Sequence, residues 1–119
     1  MALIDMNMNV LKEYSNLIDA ICSMAQLILP KGSRVVLFGS RARGDAREDS
    51  DWDLQILVPG PEKLPLSQVR DYAWPFDALG IKHGEMINPR VYSYRGWENR
   101  SFMPFYKNVT NDGIIIFEN

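Results

Sequence analysis

Apolar residues recur at spacings of three and four from Val10 through Tyr14, Leu17, Ile18, Ile21 and Ala25 to Ile28, which predicts an amphipathic helix over Val10–Leu29. Asn9 offers an N-cap, and Pro30-Lys31-Gly32 ends the pattern. The β-branched run Arg34–Phe38, enclosed by Gly32 and Gly39, reads as a buried strand. From Asp51 to Val58 the period changes to two. Asp51, Asp53 and Gln55 share one side, with Trp52, Leu54, Ile56 and Val58 on the other, and Pro59-Gly60-Pro61 closes the strand. Pro65–Trp74 is helix-like, and Pro75 is expected to end or kink it. Glu85–Tyr92 reads as a strand whose Pro89 requires an edge or a bulge. A helical stretch from Trp97 to Val109, disturbed by Pro104, precedes a final short strand or apolar tail over Gly113–Asn119. This alternation predicts an α/β (α+β) fold.

At 119 residues the chain is expected to form one domain, residues 1–119. With 46% hydrophobic and 24% charged residues it is globular rather than disordered. A net charge of −2 excludes a bulk basic surface for long nucleic acid, so any anion site must be local. The lone cysteine, Cys22, falls inside the first helical pattern as a structural thiol, which points to a reducing compartment. The N-terminus lacks the charge and length pattern of a secretory leader, and no apolar run approaches the ~20 residues that span a bilayer. A cytoplasmic protein with no membrane partner is expected.

The chemistry concentrates between the first two strands, in "LFGSRARGDAREDSDWDLQILV". A Gly39-Ser40 turn leaving one strand offers backbone N–H groups and a hydroxyl to an anion, and Ser40 is placed to cap a short helix beginning Arg41-Ala42-Arg43. Asp51 and Asp53 lie about 7 Å apart on one face of the next strand. Two carboxylates there repel unless a cation relieves them. Mg²⁺ accepts one or two carboxylates together with phosphate oxygens and water, so a phosphate cradle beside such a pair is the minimal apparatus for nucleotidyl transfer. Arg41, Arg43 and Arg47 add charge for phosphate or pair with Asp45, Glu48 and Asp49. Isolated Asp-x-Asp pairs are usually solvated strand entries; the upstream glycine-serine turn is what favours a site. His83 reads as a loop residue and Trp52 as core. The aromatic residues after position 90 are mostly core, with room for a partner surface.

Gly39, Ser40, Ala42, Gly44, Ser50, Asp51, Asp53 and Leu54 match a Gly-Ser-x-Ala-x-Gly…Ser-Asp-x-Asp-Leu signature, and the chain resembles the minimal nucleotidyltransferases of the DNA polymerase beta superfamily. The signature spans about a sixth of the chain, and length and element order also fit. The resemblance implies a nucleotidyltransferase fold with a small mixed β-sheet flanked by helices. It implies phosphate binding at Gly39 and Ser40 with Arg41 and Arg43 nearby, and Mg²⁺ on Asp51 and Asp53. AMP from ATP would pass to an acceptor hydroxyl. The family usually adds a third carboxylate on a later strand. Here the catalytic set would be completed by Glu85, unless Asn88 holds that position, in which case an amide replaces an acid. With no residues left for a second domain, the acceptor is expected to be small, bound at a homo-oligomer interface, or a protein partner, and the resemblance implies a helical HEPN-type protein in a toxin–antitoxin pair. The alternative is a weak or inactive binding module that neutralises its partner by contact.

Overall fold

The computed structural model describes residues 14–119. The first predicted helix is observed as α1, Ser15–Ile28, with Leu17, Ile18, Ile21 and Ala25 buried as the periodicity requires. Its expected beginning at Val10 and the Asn9 cap lie outside the described residues. Strand β1 covers Arg34–Phe38, the short helix α2 covers Ser40–Arg43, and β2 runs over Trp52–Val58. Helix α3 spans Leu66–Lys82 and leads to β3, Ile87–Ser93. Two helices, α4 at Tyr94–Glu98 and α5 at Pro104–Asp112, precede β4 at Ile114–Glu118.

The four strands form one mixed sheet in the order β3-β2-β1-β4. β1 is antiparallel to both β2 and β4, whereas β2 and β3 are parallel and joined through α3. Pro89 therefore lies in an edge strand, where its missing N–H costs no ladder bond on the open side.

Of the two outcomes expected at Pro75, ending the helix is excluded, because α3 continues to Lys82. The carbonyl left without a partner is that of Asp71, which is exposed, while Phe76 and Gly80 hold the opposite side in the core. The helical stretch expected over Trp97–Val109 is interrupted at Pro104 as anticipated: α4 ends at Glu98, and Pro104 opens α5 in its first turn, where no N–H is needed.

Both faces of the sheet are covered. On one, Val35 and Leu37 of β1 and Leu54, Ile56 and Val58 of β2 pack with α1 and with Phe76 of α3. Trp52 belongs to this face and is fully buried, as the alternation predicts. On the other face, Val36, Phe38 and Leu57 pack against Trp97 and Val109. Trp97 stacks on Tyr106 at 4.8 Å between ring centroids and meets Phe105 edge-on. Most of the late aromatic residues thus build a second core, and Phe102 is the one left largely exposed. This second core shares its face with Asp53 and Asn88 and reaches them at Phe38, which pairs with Asp53 and meets Phe105 of α5 at 5.6 Å between ring centroids. At this acid end of β2, Asp51 stays exposed and Asp53 half-buried.

Candidate active site

Antiparallel pairing sets Phe38 opposite Asp53, so the chain leaving β1 passes directly over that carboxylate. Gly39 makes the passage possible. Its backbone lies at φ +78° and ψ −158°, a region essentially reserved for glycine, and a Cβ there would stand 2.5 Å from Asp53 Oδ2. Ser40 is not the helix cap that the sequence suggests. It enters α2 as the first helical residue, and the Gly39 carbonyl accepts the N–H groups of Ala42 and Arg43.

Asp51 is exposed just before β2, and Asp53 is half-buried inside it. Burial foremost, and the charge of Asp51 to a lesser degree, push the Asp53 carboxyl above its ordinary value; a hydrogen bond from Asn88 and the charges of Arg90 and Arg43 pull the other way. Its charge is thus under-compensated. That is the condition a cation with phosphate oxygens relieves, so the donor set fits a Mg²⁺ ion that arrives with a nucleotide. Among the described residues no three His, Cys, Asp or Glu side chains converge to hold a metal by themselves.

Parallel pairing puts Asn88 level with Asp53, and the Asn88 Nδ2 donates to Asp53 Oδ1 at 3.3 Å. The place beside the second aspartate is therefore taken by an amide. Glu85 lies before β3 in the turn after α3, where its N–H donates to the Gly80 carbonyl at 2.8 Å. It borders a hollow of about 330 Å³ with Glu48, Asp49 and Ser50.

The arginines divide. Arg41 is 3% exposed, and its guanidinium lies against the rings of Tyr14 and Trp52 at 5.1 and 4.9 Å, which themselves meet edge-on at 4.8 Å. Nη1 donates to the Tyr14 hydroxyl, and Nη2 to the carbonyls of Glu48 and Ser50. The expected phosphate ligand is instead a clamp on the loop that delivers Asp51. Arg43 is exposed and pairs with Asp112 at 2.8 Å and Asp45 at 3.2 Å, contacts that raise its pKa further. Arg90, not foreseen from the sequence, lies two residues beyond Asn88 on the same face of β3 and rests over the Phe105 ring at 5.0 Å. The signal for it was the Asn88-Pro89-Arg90 alternation, which places Asn88 and Arg90 together.

Comparison with known proteins shows the family and the fold. The chain is 32% identical over 87 residues to "Putative protein adenylyltransferase MJ0604" of Methanocaldococcus jannaschii, covering 71% of this chain and 77% of that protein. A chain of a crystal structure described as a toxin–antitoxin with AMP-PNP superposes with a TM-score of 0.62 at 17% identity, over 86% of this chain and 73% of its own. A chain from the tri-AMPylated Shewanella oneidensis HEPN toxin in complex with MNT antitoxin gives 0.56 at 14% identity, over 88% and 72%. Both share the fold. The profile of the nucleotidyltransferase domain family matches residues 15–108, so the turn, both aspartates and both flanking strands fall within it, and the chain belongs to that family.

Proposed function

We propose that this protein moves AMP from ATP to a hydroxyl of a HEPN-type protein partner, with Asp51 and Asp53 as the Mg²⁺-binding pair. The observation that carries this is the contact of the Gly39 turn with Asp53, where any side chain in place of the glycine would collide with the carboxylate. Conformational cost and lost space are accepted together at one point, which is the mark of a backbone shaped for a ligand's close approach. The names of its relatives support the reaction class and the kind of partner: a protein adenylyltransferase, and a HEPN toxin carrying AMP.

In the reaction the acceptor oxygen bonds to the α-phosphorus, the bond from that phosphorus to the bridging oxygen breaks, and pyrophosphate leaves. Mg²⁺ supplies charge neutralisation at the phosphates and activation of the hydroxyl. Gly39 and Ser40 receive phosphate oxygens along the turn, and Arg43 and Arg90, both close enough to act on Asp53, add positive charge at its edge. Arg41 has no free fork for this and serves by fixing the Glu48–Ser50 carbonyls, hence Asp51. Asn88 orients Asp53 and accepts no proton, which leaves the aspartates and solvent to take the proton from the hydroxyl.

One observation favours a second reading. With an amide beside Asp53, the pair is a reduced donor set, and the fold then neutralises a partner by contact while retaining a nucleotide site. Incubation with ATP labelled on the α-phosphate, Mg²⁺ and a HEPN-type acceptor separates the two. Labelled acceptor is expected, and Asp51→Asn should lower labelling about a thousandfold. If the acceptor is bound and silenced while ATP remains intact, contact is the mechanism and transfer is not.

A further inference from the structure

Helix α3 carries on its solvent side a stripe that the nucleotidyl-transfer reading leaves unused. Leu66, Arg70, Trp74, Asp77 and Ile81 fall within about 80° of arc at 100° per residue and run some 22 Å along the axis. Leu66 is 64% exposed, Trp74 63% and Ile81 74%. Large apolar side chains so exposed and so aligned mark an interaction surface. Arg70 and Asp77 make no ion pair among the described residues.

The order of these residues is what identifies the occupant. In two antiparallel helices related by a two-fold axis, residues whose numbers add to a constant stand level with one another. Leu66 and Ile81 add to 147, as do Arg70 and Asp77, and as do Ala73 and Trp74. One register therefore sets apolar against apolar at both ends and opposite charges in between. The axis passes between Ala73 and Trp74, so the two Trp74 side chains meet on one side of it. A hollow of about 680 Å³ lies there, lined by Arg70, Asp71, Ala73, Trp74, Pro75 and Asp77. A tryptophan anchor at a hollow with a charged rim has the ingredients of a binding hot spot. The helix is complementary to its own reverse. We infer that α3 is the two-fold interface of a homodimer, its occupant a second copy of this chain.

Val69, Tyr72, Ala73, Phe76 and Leu79 seat α3 on the Trp52 face of the sheet. The acid end opens on the other face, so dimerisation leaves it free. The inference stands or falls independently of the transfer activity. One helix pair makes a small interface, of the kind that associates reversibly.

Sedimentation equilibrium of the full chain, from low micromolar to submillimolar concentration, should show a monomer of 13.7 kDa giving way to twice that mass. Trp74→Ala should leave it monomeric throughout. Arg70→Asp sets acid against acid at both symmetric positions, and Asp77→Arg sets base against base; each alone should weaken association on the order of tenfold. An equimolar mixture of the two should recover it, because the mixed pair restores opposite charges at both positions. Circular dichroism confirms that each exposed-site variant is folded. A wild type that stays monomeric at the highest concentration, or single variants that self-associate as well as their mixture does, would overturn the proposal. A stripe that proves to be covered by a different protein while the chain stays monomeric would do the same.

Discussion

The entry ends of β2 and β3 lie level, Asp53 beside Asn88, yet the two strands work under different constraints. β2 is an interior strand, buried on both faces at every residue from Leu54 to Val58. An ionised side chain at its mouth is desolvated, and Asp53 shows it in a carboxyl pushed upward chiefly by burial. β3 is an edge strand with an exposed Arg90 and a proline in its second half-turn of pairing, and it contributes an amide and a cation instead of another acid. The costly charge sits where the fold pays most to keep it, and the adjustable groups sit where solvent makes change cheap. What β2 holds is therefore expected to decide whether chemistry occurs, and what β3 holds to set how fast.

The strongest test is Asp53→Asn, for which two effects of opposite sign are expected. Nucleotidyl transfer should fall about a thousandfold, the loss of one of two carboxylates facing a phosphate-bound cation. Stability without ligand should rise. An acid whose folded pKa exceeds its unfolded value binds more protons in the folded state, so stability is greatest below the unfolded value and is lost as pH climbs through the interval to the folded one. Thermal unfolding across that range should show the wild type losing stability with rising pH, and Asp53→Asn should flatten the slope. Asp77, also raised by burial, contributes a similar slope to both proteins and cancels in the difference. Equal slopes would mean that Asp53 is not under strain and that β2 is no more constrained than β3.

Next comes the support of β2 from behind. Arg41→Ala removes two ring contacts and three hydrogen bonds from a buried position, and a loss of about 3 kcal/mol in urea unfolding is expected. Arg41→Lys should recover less than half of it, since an ammonium neither lies flat against the two rings nor reaches two carbonyls with one fork. Full recovery by lysine would return Arg41 to the role of a simple positive charge for phosphate.

The same division explains what could be read from the sequence. Asp51, Asp53 and Trp52 were legible because a strand's period of two acts within one short segment, and the Gly39 turn because glycine at a strand end advertises its conformation. Pro89 narrowed β3 to an edge or a bulge, and the sheet order settles it as the edge. The sequence offered Asn88 beside Glu85 for the third-acid position but could not choose between them, since the pairing with Asp53 depends on a register set across 35 residues by the length of α3. That length was itself misread, because Pro75 breaks a helix only where the freed carbonyl lacks water or the far face lacks a core. Arg41 was misread for a related reason. Its burial is decided by Tyr14 and Trp52, which approach it from two other elements, and composition makes an arginine beside a phosphate turn look like a ligand.

The smallest expected effects lie on β3, where the third acid is in question. Asn88→Asp places a carboxylate beside Asp53 in a strand whose outer side is solvated. Without cation the two acids repel and the variant should lose about 1 kcal/mol; with Mg²⁺ and ATP it should transfer on the order of tenfold faster, since a further oxygen ligand stabilises the same charge. Glu85→Gln should change transfer less than twofold, because Glu85 sits in the turn, tied through its backbone to Gly80. Steady-state labelling of the acceptor at saturating ATP measures both. The pair of results matters more than either one. If Glu85→Gln costs a hundredfold and Asn88→Asp gains nothing, the turn after α3 moves onto Asp51 and Asp53 when nucleotide binds, and the edge strand is a bystander. If the order is as expected, the difference between wild type and Asn88→Asp measures how much catalytic power an amide at this one edge position withholds.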